Sequence, residues 1–221
     1  MKNELITHSN PKSVISEAIK TIRTNLLFSS LDEKIKTILI TSSIPGEGKS
    51  FLTSNLAIAF SQNDLNVLII DCDLRKGRLH HIFDLENKHG LSNLLLEEKI
   101  NKKDYVQKTK IKNVSLISTG ILPPNPSEIL ATEKFNLVLE SLKKDFDIII
   151  LDSPPVSIVS DALVLTKKVD QTVIVAANRK VQLKEVENTK KQILNVGGKI
   201  AGVILNKKKV EKKEYYNKYY N

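Results

Sequence analysis

Short, almost unbroken apolar runs alternate along the chain with segments whose apolar residues recur every three or four positions. The runs Lys36–Thr41 (KTILIT), Val67–Asp71 (VLIID), Val114–Ser118 (VSLIS), Asp147–Leu151 (DIIIL), Thr172–Ala176 (TVIVA) and Ile200–Leu205 (IAGVIL) predict strands. None alternates apolar with polar residues, as expected of strands covered on both faces. Ile15, Ala18, Ile19, Ile22 and Leu26 recur at helical spacing and predict a helix over Ser13–Ser30. Further helices are expected over Lys49–Asn63, Leu91–Glu97, Ser127–Lys144 and Gln182–Val196. The proline turn Leu122–Pro126 (LPPNP) leads into the third of these, with Ser127 placed to cap it and Glu128 in its first turn. Strands and helices in alternation predict an α/β protein with a doubly wound, mainly parallel sheet flanked by helices. With no internal repeat and no linker, residues 1–205 read as one domain that includes the N-terminal helix. A Lys/Tyr-rich tail over 206–221 is expected to be flexible.

Composition changes this picture little. The hydrophobic fraction of 41% is ordinary for a globular chain. The single cysteine, Cys72, excludes an intramolecular disulfide and fits a reducing, cytoplasmic setting. The longest apolar runs are strand-sized, so the chain is not expected to cross a membrane by itself. The net charge of +9 is uneven: Asn206–Asn221 holds six lysines against two glutamates, and four of the five tyrosines. The lysines around Tyr105 (Lys102, Lys103, Lys108, Lys110, Lys112) read as solvated surface.

Candidate chemistry lies where strands end. Ser42–Ser50 (SSIPGEGKS) follows the first strand and opens a helix, the context of a Walker A loop whose backbone N–H groups wrap phosphate oxygens. Pro45, Gly46, Glu47, Gly48, Lys49, Ser50 and Phe51 are the expected nucleotide-binding residues, although Ser43 stands where the pattern has its first glycine. Lys49 is expected at the β/γ-phosphates and Ser50 at Mg²⁺. Asp71 and Asp73 end the second strand, the edge where ligands bind in open α/β sheets. Two carboxylates so close repel unless a metal ion or a reacting proton needs them. Asp152 ends the strand in DIIILDSPP as a Walker B carboxylate. Asn206-Lys207-Lys208-Lys209 lacks the aspartate that would read guanine, so ATP is expected, with Asn206 at the adenine.

SSIPGEGKS, IIDCDLRKGR, IILDSPP, the turn PPNPSEIL and the terminal EYYNKYYN together resemble the bacterial tyrosine kinases of capsule and exopolysaccharide export in their cytoplasmic, Gram-positive form. The resemblance implies a P-loop NTPase fold of the MinD/ParA-like type with ATP and Mg²⁺ as cofactors. It implies a metal site of Ser50, Asp152 and Asp71 or Asp73, with one of Asp71 and Asp73 accepting the tyrosine proton. Autophosphorylation of Tyr215, Tyr216, Tyr219 and Tyr220 between subunits is implied too. A helix motif matched by Glu17, Lys20 and Arg23 would pack protomers into a ring, with Lys20 in place of an arginine. Implied partners are a membrane-spanning activator that recruits the chain to the inner face of the membrane, an opposing tyrosine phosphatase and tyrosine-bearing protein substrates. No nucleic acid is expected. Arg75, Lys76 and Arg78 stand close enough in sequence to neutralise developing charge.

Two other readings stay open. A non-kinase ATPase switch of the division-site and partition type shares the fold, but its loop has a lysine where this chain has Ile44. A binding module using the basic, aromatic tail would leave the three-part nucleotide site without a purpose.

Overall fold

The structure, a computed structural model, describes residues 4–28, 35–98 and 101–209. Its strands are β1 (Thr37–Ser42), β2 (Val67–Asp71), β3 (Gln107–Lys108), β4 (Val114–Ile117), β5 (Ile148–Asp152), β6 (Gln171–Ala177) and β7 (Ile200–Asn206). Its helices are α1 (Ile6–Ser9), α2 (Val14–Phe28), α3 (Lys49–Ser61), α4 (Leu79–Phe83), α5 (Leu91–Leu96), α6 (Pro126–Ala131), α7 (Glu133–Leu142), α8 (Asp161–Thr166) and α9 (Leu183–Asn195).

The strands form one seven-stranded sheet in the order β3-β4-β2-β5-β1-β6-β7. Every pairing is parallel except that of β3 with β4. All six predicted strands form. β3 escaped notice because two polar residues carry no apolar signal.

Period-two alternation divides the apolar runs between two cores. Ile38 and Ile40 of β1, Ile69 of β2 and Ile150 of β5 face Leu56 and Phe60 of α3. Leu39, Leu68, Ile70 and Leu151 face the opposite layer with Phe135, Leu139 and Leu142 of α7. Each such side chain contributes roughly 1.5–3 kcal/mol when fully buried. The sheet is rigid for that reason, and the strand ends it aims are fixed.

Three expectations are corrected. The helix predicted over Ser127–Lys144 is two helices. Thr132 is extended (φ −60°, ψ 154°), ends α6 and caps α7 by accepting a bond from Phe135 N at 3.4 Å. Ser127 caps nothing, because α6 starts at Pro126 and the Ser127 hydroxyl turns to Asp161. The basic stretch is not all solvated surface: Tyr105 is buried with its hydroxyl on Glu97, and Lys102 pairs with Asp145 at 2.6 Å. Ser29 and Ser30, the predicted end of the first helix, lie outside the described residues. Among the described residues no helix is long and apolar enough to cross a membrane.

Candidate active site

β1 is the third strand from the β7 edge, flanked by β5 on one side and β6 on the other. Chain leaving its carboxyl end must turn at once into α3, and two glycines make that turn possible. Gly46 (φ +75°) and Gly48 (φ +97°) occupy the left-handed region. Space forbids side chains there as well: a Cβ on Gly48 would stand 2.2 Å from Asn206 Nδ2. The loop leads directly into the N-terminus of a 13-residue helix, whose first amides have no partner within the helix. That is an anion site made of backbone.

Several side chains brace the loop. Ser43, at the position of the missing glycine, is fully buried and accepts a hydrogen bond from the Thr189 hydroxyl at 3.0 Å. The extra hydroxyl is thereby satisfied. Glu47 is also buried: its carboxylate accepts from Ile44 N at 2.9 Å and from Ala177 N at 2.8 Å. It ties the loop to the end of β6, so only its backbone remains to face phosphate. The Asn206 amide donates to Glu47 O at 2.8 Å while its oxygen accepts from Lys207 N at 2.8 Å. Lys180 and Lys207 donate to the Gly46 carbonyl at 3.2 and 2.8 Å. Asn206 thus supports the loop, with one amide hydrogen left for a base.

The carboxylates gather beside the loop. In the β2–β5 ladder Asp71 is the register partner of Asp152. Asp152 accepts from the Ser50 hydroxyl at 2.6 Å and the Thr53 hydroxyl at 3.3 Å. Asp71 accepts from Leu79 N at 3.0 Å and Asp73 N at 3.3 Å. Burial, then the neighbouring charge of Asp152, pushes Asp71 well above the ordinary carboxylate range. Burial pushes Asp152 up to about 6 against the opposing hydrogen bond of Ser50 and the charge of Lys49. Two buried acids in this condition are short of positive charge. Among the described residues no three acidic, histidine or cysteine side chains converge on a metal. Mg²⁺ needs no such cage, since it is held by one or two protein groups and completes its shell with water and phosphate oxygens. Ser50, Asp152 and Asp71 fit that demand.

A cavity of about 930 Å³ opens over these groups, lined by Gly46, Gly48, Lys49, Ser50 and Asp73 on one side and α2 on the other. Its size suits a nucleotide. Pro45, Phe51 and Asn206 also line it; the Glu47 side chain does not. All three basic residues after β2 line the cavity, Arg75 bound to Asp161 and Arg78 paired with Glu4 at 2.7 Å. Sequence reasoning missed Thr53, Asp161, Thr189 and Lys180, which belong to no motif and act through tertiary contact.

Glu17, Lys20 and Arg23 all lie on α2. Lys20 bonds Glu17 at 2.8 Å, whereas Arg23 turns inward to Ala59 O and Asn63 of the neighbouring segment, each at 2.8 Å. Tyr215, Tyr216, Tyr219 and Tyr220 lie outside the described residues.

Comparison with known proteins accords with this geometry. Residues 34–220 match the ParA family, described as NUBPL iron-transfer P-loop NTPase. This chain is 40% identical over 216 residues to CapB of Staphylococcus aureus, a tyrosine-protein kinase by name, covering 98% of this chain and 94% of CapB. It is 37% identical over 219 residues to the tyrosine-protein kinase YwqD of Bacillus subtilis, covering 99% of this chain and 92% of YwqD. The crystal structure of the chimerical protein CapA2B2 superposes with a TM-score of 0.89 at 38% identity, over 94% of this chain and 91% of that one. With a ParA-type sheet, a phosphate loop on β1, paired carboxylates on β2 and β5 and kinases alike over nearly its whole length, this chain belongs to the bacterial tyrosine kinases of the P-loop NTPase fold.

Proposed function

We propose that this chain is an ATP-dependent protein tyrosine kinase that phosphorylates its own C-terminal tyrosines, Tyr215, Tyr216, Tyr219 and Tyr220, between subunits. The observation that carries this reading is that Lys49, Ser50 and Asp73 line one cavity, while the buried Asp152 bonds Ser50 and is paired in register with Asp71.

Phosphoryl transfer asks mainly for positioning and charge neutralisation. The loop amides from Pro45 to Ser50 hold the phosphates and Lys49 neutralises their outer oxygens. Ser50 and Asp152, already in contact, would hold Mg²⁺, with Asp71 as the register partner of Asp152. Bound Mg²⁺ supplies charge neutralisation at the phosphate oxygens. Asp73 is the better candidate for receiving the tyrosine proton: it lines the cavity and is partly exposed, while Asp71 is sealed beneath it. Asp73 Oδ1 is fixed by the amides of Arg75 and Lys76 at 3.3 and 2.9 Å. That leaves Oδ2 to accept. Asn206 contributes its remaining amide hydrogen to the base.

By analogy with the family, protomers pack into a ring in which Glu17 and Lys20 contribute. A membrane-spanning activator brings the ring to the inner face of the cell membrane, a tyrosine phosphatase opposes it, and capsule or exopolysaccharide export is regulated through it. Each phosphate adds about −1.5 to −2 charges, so four of them reverse the sign of the basic tail and loosen a ring held by tail docking.

The test is incubation with γ-labelled ATP and Mg²⁺, with and without the activator's cytoplasmic segment. Label on tyrosine that disappears in Lys49→Met supports the kinase. ATP hydrolysis with no phosphotyrosine under either condition points instead to a non-kinase ATPase switch.

A further inference from the structure

The strands that deliver the carboxylates end side by side, and their ends repel. The chain leaving β2 and the chain leaving β5 meet again just beyond the sheet. Arg75, four residues past Asp71, forks onto Asp161, nine residues past Asp152: Nε donates to Oδ2 at 3.0 Å and Nη2 to Oδ1 at 3.1 Å. Asp161 is completely buried, and the Ser127 hydroxyl at the start of α6 also donates to it. Arg75 Nη2 approaches the same serine at 3.4 Å, and Ser160 donates to it at 3.3 Å. The helix cannot account for this acid: Asp161 begins α8, yet all three of these donors come from other segments.

A bidentate, charge-assisted pair is a stiff connection. Its other end reaches the proposed base. The Arg75 backbone N–H bonds Asp73 Oδ1 while the Arg75 guanidinium bonds Asp161, so one residue bridges the two acids. Anchoring the guanidinium fixes the turn Asp73–Lys76, and with it the direction of the Asp73 carboxylate.

We infer that Asp161 is a positioning residue for phosphoryl transfer: through Arg75 it ties the exit of β2 to the exit of β5 and holds Asp73 at the cavity. This rests on the reading of Asp73 as the proton acceptor, and it gives Arg75 a different duty from neutralising developing charge. A structural clamp and a positioning clamp predict different things. The first is felt in stability and nucleotide binding alike. The second is felt in turnover, because Ser50 and Asp152 hold each other and Asp152 is also held by Thr53.

The experiment compares the full chain with Asp161→Asn, Arg75→Met and the double variant. Thermal melting, ATP KM, kcat for tyrosine labelling and hydrogen exchange at the Arg75 and Lys76 amides are measured for each. Asp161→Asn is expected to lower kcat about 10–100-fold, the scale of an ångström-sized misplacement, with ATP KM changed less than about twofold. Exchange at the two amides should quicken. The double variant, which leaves no unpaired buried charge, should melt near the parent and lose no more turnover than either single variant. Unchanged kcat in Asp161→Asn overturns the proposal. So does a fall in kcat matched by equal losses in ATP affinity and melting temperature in the double variant, or a double-variant loss equal to the product of the single ones. Exchange needs no turnover: quickened amides in a chain whose parent labels no tyrosine would sink the kinase reading alone. Unchanged amides beside an active parent would sink the clamp alone.

Discussion

Replacing Asp71 by asparagine should stabilise the ligand-free chain while destroying its activity. Asp71 is fully buried and stands opposite Asp152 in the parallel ladder. At one strand spacing, about 5 Å, two unit charges repel by about 3 kcal/mol in a medium of effective dielectric ~20. Against that gain stand the bonds that Asp71 accepts from Leu79 N and Asp73 N. Asparagine keeps one acceptor oxygen and turns an N–H₂ toward the other amide, at a cost of about 1–2 kcal/mol. The net gain is about 1–2 kcal/mol, or about 3–6 °C in melting temperature for a chain of this size. It appears only where both acids are ionised. Asp152 holds its proton to about 6 in the fold and releases it near 3.8 when unfolded. Between those values the folded chain binds more protons, so parental stability is greatest at the acid end and falls as pH rises through about 6. Asp71, raised well above its ordinary value by burial and then by the charge of Asp152, adds to the same fall. In Asp71→Asn the part due to Asp152 near 6 remains and the part due to Asp71 vanishes. The assay is thermal melting between about pH 5 and 9 without nucleotide or Mg²⁺. A variant that melts no higher than the parent anywhere above pH 6, or that keeps the parental slope there, would refute the reasoning. The same variant should lack Mg²⁺-dependent tyrosine labelling, because the charge that destabilises the empty fold is the one the metal needs.

Two further outcomes follow from single contacts. Gly48→Ala forces an L residue into φ +97° and drives a Cβ onto the Asn206 amide. The strain of about 1–2 kcal/mol falls on the phosphate loop, so nucleotide affinity by calorimetry should drop about five- to thirtyfold. Tyr105 is 3% exposed, and burial, then its bond to Glu97, pushes the hydroxyl up to about 12. It should carry no phosphate by mass spectrometry when the tail is fully modified. Tyr105→Phe should cost about 1 kcal/mol in denaturant melts and leave labelling intact.

Much of this was legible because its physics is local. A strand covered on both faces must be apolar throughout, so Ile148–Asp152 and Val67–Asp71 announced themselves, and the acids that end them had to reach one edge of the sheet. The glycines of the loop were legible for the same reason, since their backbone angles admit little else. What stayed hidden depends on partners far apart in sequence. Glu47 looked like a loop residue facing phosphate until Ala177 N, 130 positions away, claimed its carboxylate. Asp161 lies in no motif, and only Arg75, 86 positions away, reveals its task. Thr132 looked helical because its neighbours are, and the break there follows from a cap bond that no periodicity records.

The central claim is that this site transfers phosphate to the tail tyrosines of a neighbouring subunit. Mixing full-length Lys49→Met, which keeps the tyrosines but lacks the phosphate-binding lysine, with an active chain truncated after Lys209 tests it most directly. After incubation with Mg²⁺ and γ-labelled ATP, phosphopeptide mapping should find label on Tyr215–Tyr220 of the Lys49→Met chain. Label confined to the wild-type chain acting alone would contradict transfer between subunits, and ATP turnover with no labelled tail in any mixture would contradict the kinase itself.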